Sequence, residues 1–283
     1  MIGSSPKLDL LIVGAVPPEV EPLKGWFSSM ERMETQWTTC WLGGFGRLKV
    51  GVASLGIGKV NAAAGSAFLI GYFCPTMVWI VGSAGAYVLG PLEIGDVLIS
   101  STVFLGDEGV WEKEGFRSME AVGIPVAKER GRGVFERMVL EEDELFERLA
   151  RVTPPGLYWA DSPSAQRPRA LPYPGTTRMT EGSVKPQPKP FRVLIGPSVT
   201  VSLSSGDEWV AKERFSRYDA WAEDMEGSAV IQVCRRFGVS VAQCRGISNR
   251  AGIRDKSLWR TEEALAHCHA VLGSWLCAFH ENP

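Results

Sequence analysis

Histidine is scarce in this chain: three in 283 residues, His267, His269 and His280, all close to the C-terminus. That scarcity argues against a Ser-His-Asp or Cys-His hydrolase, whose nucleophile needs an imidazole to take its proton. Carboxylates are left as the candidate acids and bases. In His267-Cys268-His269 the two histidines lie two residues apart, and on a helix such residues point to different faces. No metal site is expected. CxxC pairs are absent as well, although six cysteines are present: Cys40, Cys74, Cys234, Cys244, Cys268 and Cys277. Their mostly apolar neighbourhoods read as core thiols, not disulfides or metal ligands. Nor is there an excess of one charge. The 30 basic and 32 acidic residues leave a net charge of −2, no field for nucleic acid or an anionic membrane. No apolar run reaches spanning length, and no basic-then-apolar signal precedes the first strand, so a cytoplasmic protein is expected.

What is present suits one large globular domain or two small ones: 45% hydrophobic and 22% charged residues. Residues 8–13 are a nearly continuous apolar run, as expected of a strand buried on both faces. It opens into Gly14-Ala15-Val16-Pro17-Pro18-Glu19, where the prolines are expected to delay the next helix. Glu19 is then a carboxylate at a strand-to-helix turn, on the edge of the sheet where ligands bind. Residues 37–44 and 48–54 read as strands around a Gly43-Gly44-Phe45-Gly46 turn. Leu55-Gly56-Ile57-Gly58-Lys59-Val60-Asn61 leads into a helix to about residue 73. A dinucleotide fingerprint would want glycine at position 61. A P-loop would want glycine at 53 and Ser or Thr at 60. Both readings fail.

Residues 77–81 form another buried strand, expected to end in a turn, Gly82-Ser83-Ala84-Gly85-Ala86, whose small side chains let a ligand approach the main chain. A strand at 95–100 follows, and 101–116, with Asp107 and Glu108, is expected to cross the pocket rim. A helix covers about 141–152. The stretch 153–190 carries nine prolines and reads as a surface excursion without a core of its own. Strand returns over 191–202, followed by Ser204-Ser205-Gly206-Asp207-Glu208-Trp209. A C-terminal helix at about 261–279 places Leu265, Cys268, Leu272, Trp275 and Phe279 along a core stripe.

The stretch 222–252 is the most informative. Ala229, Val230, Val233, Cys234 and Phe237 fall at helical spacing, and Gly238 stands where a left-handed residue would end that helix. Glu226 lies near the helix N-terminus, where backbone N–H groups favour a carboxylate. A strand then leads through Arg245-Gly246-Ile247-Ser248-Asn249, with Asn249 expected just past its C-terminal end.

Together, Gly56-Ile57-Gly58-Lys59-Val60, Gly82-Ser83-Ala84-Gly85, Asp224-Met225-Glu226-Gly227-Ser228-Ala229 and Arg245-Gly246-Ile247-Ser248-Asn249 resemble the nucleosidase branch of the purine nucleoside phosphorylase-like superfamily. Within it the wording looks most like the futalosine hydrolase family. The resemblance covers most of the chain apart from 153–190. It implies one domain over 1–283, a three-layer α/β/α sandwich with a mixed central sheet. It implies a homo-oligomer, a dimer being favoured, and no cofactor or metal. Glu19 matches the glutamate that activates the attacking water. Ser83 matches a hydroxyl near ribose and water, and Trp209 the aromatic that stacks on the purine. Met225 and Glu226 match the ribose-binding segment, with Arg245 and Ser248 also in the substrate site.

The best-known nucleosidases of the branch, which act on methylthioadenosine and S-adenosylhomocysteine, carry aspartate where this chain has Asn249. A carboxylate suits the 6-amino donor of adenine, whereas an amide offers a donor for a 6-oxo group and an acceptor for a protonated N7. Hypoxanthine is therefore the expected leaving group, and the resemblance implies hydrolysis of futalosine to hypoxanthine and dehypoxanthine futalosine, in menaquinone biosynthesis. The alternatives are the methylthioadenosine/S-adenosylhomocysteine reaction, a phosphate-dependent phosphorylase, and a non-catalytic nucleoside-binding protein.

Overall fold

The Leu-Leu-Ile-Val-Gly run forms β1 (Leu10–Gly14), buried at every position as a strand covered on both faces must be. The computed structural model describes residues 6–129, 131–153, 156–159 and 190–281. After a one-turn helix α1 (Pro17–Val20) comes an antiparallel meander, β2 (Ser28–Glu34), β3 (Thr39–Phe45) and β4 (Leu48–Ser54). Then follow α2 (Lys59–Phe73), β5 (Met77–Ala86) and β6 (Val97–Leu105). Two small hairpins flank a single helical turn: β7 (Gly109–Glu112) with β8 (Gly115–Ser118), α3 (Met119–Val122), and β9 (Ala127–Glu129) with β10 (Arg132–Val134). The chain continues through β11 (Arg137–Val139), α4 (Glu144–Val152), β12 (Gly156–Trp159) and β13 (Pro190–Thr200). It ends with α5 (Glu208–Tyr218), β14 (Ala222–Asp224), α6 (Gly227–Phe237), β15 (Ser240–Arg250) and α7 (Thr261–Glu281).

Eleven strands make one mixed sheet, ordered β11-β6-β13-β14-β5-β1-β4-β3-β2, with β12 beside β13 and β15 bridging β5 and β6. β1 runs parallel to both β4 and β5, and β15 runs parallel to β5 but antiparallel to β6. α2 packs on α6, while α7 packs on β15 and α4, giving the three-layer α/β/α sandwich. The largest core cluster includes Trp79 and Trp275, both fully buried, whose rings meet edge-on at 5.3 Å. Such a pair adds about 0.5–1.5 kcal/mol beyond the area it buries. α7 can approach β15 closely because Gly246 has no side chain: a methyl there would overlap the Ala264 carbonyl. Gly238 ends α6 at φ 68°, as its position predicts.

The structure departs from the sequence expectations in several places. β2 lies at the sheet edge, mostly exposed, and its charged Ser-Ser-Met-Glu-Arg-Met-Glu composition carries no burial signal. Gly43 and Gly44 belong to β3, and the tight turn is Gly46-Arg47. α1 starts at Pro17 itself, because the first helical positions do not need an N–H. Gly82 to Ala86 do not form a turn but extend β5, since β15 pairs alongside them. For the same reason Asn249 lies inside β15, one residue before its end. Of the excursion expected at 153–190, Thr153 is buried and Gly156–Trp159 pairs antiparallel with β13, which begins at Pro190; residues 154–155 and 160–189 lie outside the described residues. All six cysteines are free, Cys74 exposed and the others buried. Among the described residues no cluster of metal-binding side chains occurs, and no helix is long and apolar enough to cross a membrane.

Candidate active site

Pairing between β5 and β15 sets the geometry: Arg245 lies opposite Gly82, Gly246 opposite Ser83, and Asn249 opposite Gly85. The register slips between Ile247 and Asn249, and such an irregularity re-aims the side chains beyond it. The β5 glycines make room for the side chains that converge here. A methyl on Gly82 would lie 2.5 Å from Glu19 Oε1 and 2.7 Å from an Arg245 guanidinium nitrogen, so the two groups share that space. A methyl on Gly85 would lie 3.2 Å from Asn249 Nδ2.

Glu19 is buried, on the single turn of α1. Its Oε2 accepts the N–H groups of Ala15 at 2.7 Å and Val16 at 3.3 Å. Its Oε1 accepts the Ser83 N–H at 3.0 Å and the Ser83 hydroxyl at 3.4 Å. Backbone from the loop after β1 and from β5 therefore holds the carboxylate at the sheet edge. Ser83, expected near ribose and water, here serves Glu19.

Glu226 occupies the N-cap position of α6 without a side-chain bond to the helix, and its Oε1 accepts the Gly58 N–H at 2.8 Å. The glycine-rich entry to α2 thus folds onto the acidic turn. Burial pushes the Glu226 pKa up to about 7, against the Arg245 cation, which lowers it, while Asp224 and Glu19 add to the rise. Arg245 is 1% exposed and pairs with Asp224 Oδ1 at 3.3 Å. Burial alone would lower its pKa, but Asp224, Glu226 and Glu19 together raise it. One cation therefore faces three carboxyl groups.

Two residues of this cluster escape sequence reasoning, Asp224 and Gln243. Asp224 Oδ1 accepts the N–H groups of Glu226 at 2.9 Å and Gly227 at 2.7 Å, and the Thr200 hydroxyl at 3.1 Å. Asp224 is thus the true cap of α6. Gln243, two residues before Arg245 in β15, places Nε2 within 3.2 Å of Asp224 Oδ2 and near the Ser100 and Ser198 hydroxyls. Gly227 is glycine because Gln243 Oε1 fills the space a methyl would need. The available signals were the place of Asp224 in the acidic motif and an amide within the apolar first half of a strand.

Asn249 is half-buried; its Oδ1 accepts the Ser248 hydroxyl at 2.7 Å and its Nδ2 donates to the Arg250 carbonyl at 3.1 Å. One further bond remains available at each end of the amide. Met225 is half-buried between Asp224 and Glu226. Trp209, on the first turn of α5, is 67% exposed. The turn before it is held by a second buried network. Glu223, facing the opposite way from Asp224 on β14, accepts the Tyr87 and Ser205 hydroxyls at 2.9 and 2.6 Å and pairs with Arg214 at 3.3 Å.

Lys59 follows Gly58 and forms ion pairs with Asp107 and Glu108. Asp107 also accepts the Ser202 and Leu203 N–H groups at 2.6 and 3.2 Å. The rim residues that sequence reasoning left without a role therefore tie the start of α2 to the loop after β13.

Three carboxylates thus gather around one buried arginine at one edge of the mixed sheet. The chain belongs to the phosphorylase superfamily, whose family model matches residues 9–279. It is 30% identical over 211 residues to a futalosine hydrolase of Thermus thermophilus, covering 75% of this chain and 74% of that one. It is 39% identical over 101 residues to a 5′-methylthioadenosine/S-adenosylhomocysteine nucleosidase of Listeria monocytogenes, spanning 36% of this chain and 43% of that one. A nucleosidase of the same name from Colwellia psychrerythraea, solved in complex with adenine, superposes with a TM-score of 0.71. That match covers 97% of this chain and 96% of the other at 20% identity, a likeness of fold.

The raised pKa of Glu226 has a measurable consequence for stability. The unfolded chain releases this proton near 4.5 and the folded chain near 7, so wild-type stability falls as pH rises between those values. Glu226→Gln stays neutral throughout. At pH 8 it is expected to be the more stable protein, by up to about 3 kcal/mol, with the gain gone below pH 4.5. Urea unfolding at pH 4.5, 6 and 8 checks this; a gain independent of pH would mean that Glu226 does not titrate in that range.

Proposed function

We propose that this chain hydrolyses the N-glycosidic bond of a purine nucleoside, futalosine in particular, releasing hypoxanthine and dehypoxanthine futalosine. The observation that carries the reading is the meeting of Glu19 and Glu226, 207 positions apart in the numbering, around Arg245, with Asn249 four residues further along the same strand. The similarity to the Thermus thermophilus futalosine hydrolase supports it. In this reading Glu226, as a carboxylate, accepts the 2′ and 3′ hydroxyls of the ribose and fixes the ring. Glu19 takes a proton from a water on the opposite face as the water attacks the anomeric carbon. The C–N bond breaks, the electron pair leaves with the base, and the base takes a proton at N7 from solvent, because an amide cannot supply one. Arg245, buried behind both carboxylates, limits the field that three anions would otherwise create. Asn249 donates to O6 and accepts from the protonated N7, and Ser248 fixes the orientation of its amide.

Two features favour water over phosphate as the nucleophile. The loop after β1 presents Pro17, Pro18 and Glu19, and a carboxylate repels phosphate. The one lysine of the glycine-rich segment is already paired with two carboxylates. The methylthioadenosine/S-adenosylhomocysteine reaction is the second reading. It is supported by the local 39% identity and by fold neighbours bound to adenine or methylthio-immucillin-A. Asn249 weighs against it, since an amide suits a 6-oxopurine. The futalosine reading also places the protein in menaquinone biosynthesis, in the cytoplasm, as a homo-oligomer with a dimer favoured.

Incubation with futalosine, inosine and methylthioadenosine, with and without phosphate, tests the reading. Hypoxanthine is expected from futalosine without phosphate. Release only with phosphate would make the protein a phosphorylase, and binding without release would make it a nucleoside-binding protein. Glu19→Gln is expected to lower turnover by roughly 10²–10⁴-fold while substrate still binds, the range of a lost general base; a fully active variant would remove Glu19 from that role. For Asn249→Asp, the ratio of inosine-type to adenosine-type cleavage is expected to fall roughly ten- to a hundredfold, matching the 1–3 kcal/mol of one mismatched buried pair. An unchanged ratio would show that the base is read elsewhere.

A further inference from the structure

The His267-Cys268-His269 motif places each histidine ring against a different backbone carbonyl. His267 Nδ1 meets Gly95 O at 2.6 Å, and the Gly95 N–H in turn donates to Ile247 O on β15 at 2.8 Å. His269 Nε2 meets the carbonyl of Glu19 at 2.8 Å. A carbonyl has no proton to give, so Nε2 carries it. Burial lowers the His269 pKa, which suits a neutral ring. The ring is also seated by Trp26, which approaches edge-on at 6.2 Å.

α1 is one turn long, begins with two prolines, and runs directly into a 3-10 helix, Glu21–Trp26, which carries Trp26. The Glu19 carboxylate is fixed by N–H groups at the sheet edge and its own N–H bonds to the Val16 carbonyl, whereas its carbonyl is held from α7. Among the described residues His269 is the one side chain that donates to a carbonyl of α1. A leucine would fill the same space without desolvating an imidazole, so packing alone does not account for histidine at this position.

We infer that His269 is a positioning residue for Glu19: its Nε2–H holds the Glu19 carbonyl and so fixes the turn from which the carboxylate reaches the attacking water. The inference rests on the reading of Glu19 as the base. Its test compares His269→Leu and His269→Gln, each alone and combined with Glu19→Gln, using whichever of futalosine, inosine and methylthioadenosine the wild type cleaves fastest. His269→Leu is expected to lower kcat by roughly 10- to 100-fold, the scale of a small displacement relayed to the chemistry, with KM little changed. His269→Gln, whose amide brings an N–H close to the place of Nε2, should recover most of that loss. In the Glu19→Gln background His269→Leu should add nothing, because the two act through one group.

A folded His269→Leu protein with wild-type kcat, a Gln variant as impaired as Leu, or losses that multiply in the double variant would each overturn the inference. If His269→Leu does not fold, His269→Asn replaces it, since its shorter amide cannot reach the carbonyl, and the same comparisons apply. Wild-type turnover by Glu19→Gln alone would overturn the reading of the base, an outcome distinct from the other three.

Discussion

The site depends on a single buried guanidinium. Arg245 sits among Asp224, Glu226 and Glu19, which come from β14, the cap of α6 and the turn after β1. Three carboxylates cannot be gathered out of water without compensation, and one arginine does not neutralise all three. The remainder is met in different ways. Asp224 draws on the N–H groups at the start of α6, and Glu19 on three backbone N–H groups around it. Glu226 has one such bond, from Gly58, and its pKa rises accordingly. The residue least compensated by the protein is the one assigned to receive the hydroxyls of a substrate.

Glycines keep this arrangement compact. Gly82 leaves space for Glu19 and Arg245, Gly227 for Gln243, and Gly246 for the start of α7. At Gly227 and Gly246 the required property is the missing volume at a crossing of elements, and at Gly82 a φ of 155° adds a backbone conformation that other residues rarely adopt. That is why motifs that resemble loops in the sequence turn out to lie in β5 and β15.

Much of this was legible beforehand. Apolar runs located β1, β5 and β13, helical spacing located α6, and Gly238 its end. Glu19 and Glu226 stood out because each is a carboxylate at the junction of a strand and a helix, a local property. What could not be read is mostly non-local. Whether Gly82 to Ala86 turn or continue depends on the arrival of β15 alongside, more than 150 residues later. The roles of Asp224 and Gln243 depend on burial and partners that no spacing rule encodes. β2 is an exposed, charged edge strand, and edge strands lack the alternation that would reveal them. His269 fell to the same limit, since its partner is a main-chain oxygen 250 positions away.

The cluster of Lys59 with Asp107 and Glu108 joins two loops beside Glu226 through ions, not apolar packing. The hydration of charged groups becomes less favourable on heating, so the penalty for keeping such ions together shrinks as temperature climbs. That fastening consequently holds its strength in warm surroundings better than the neutral contacts around it.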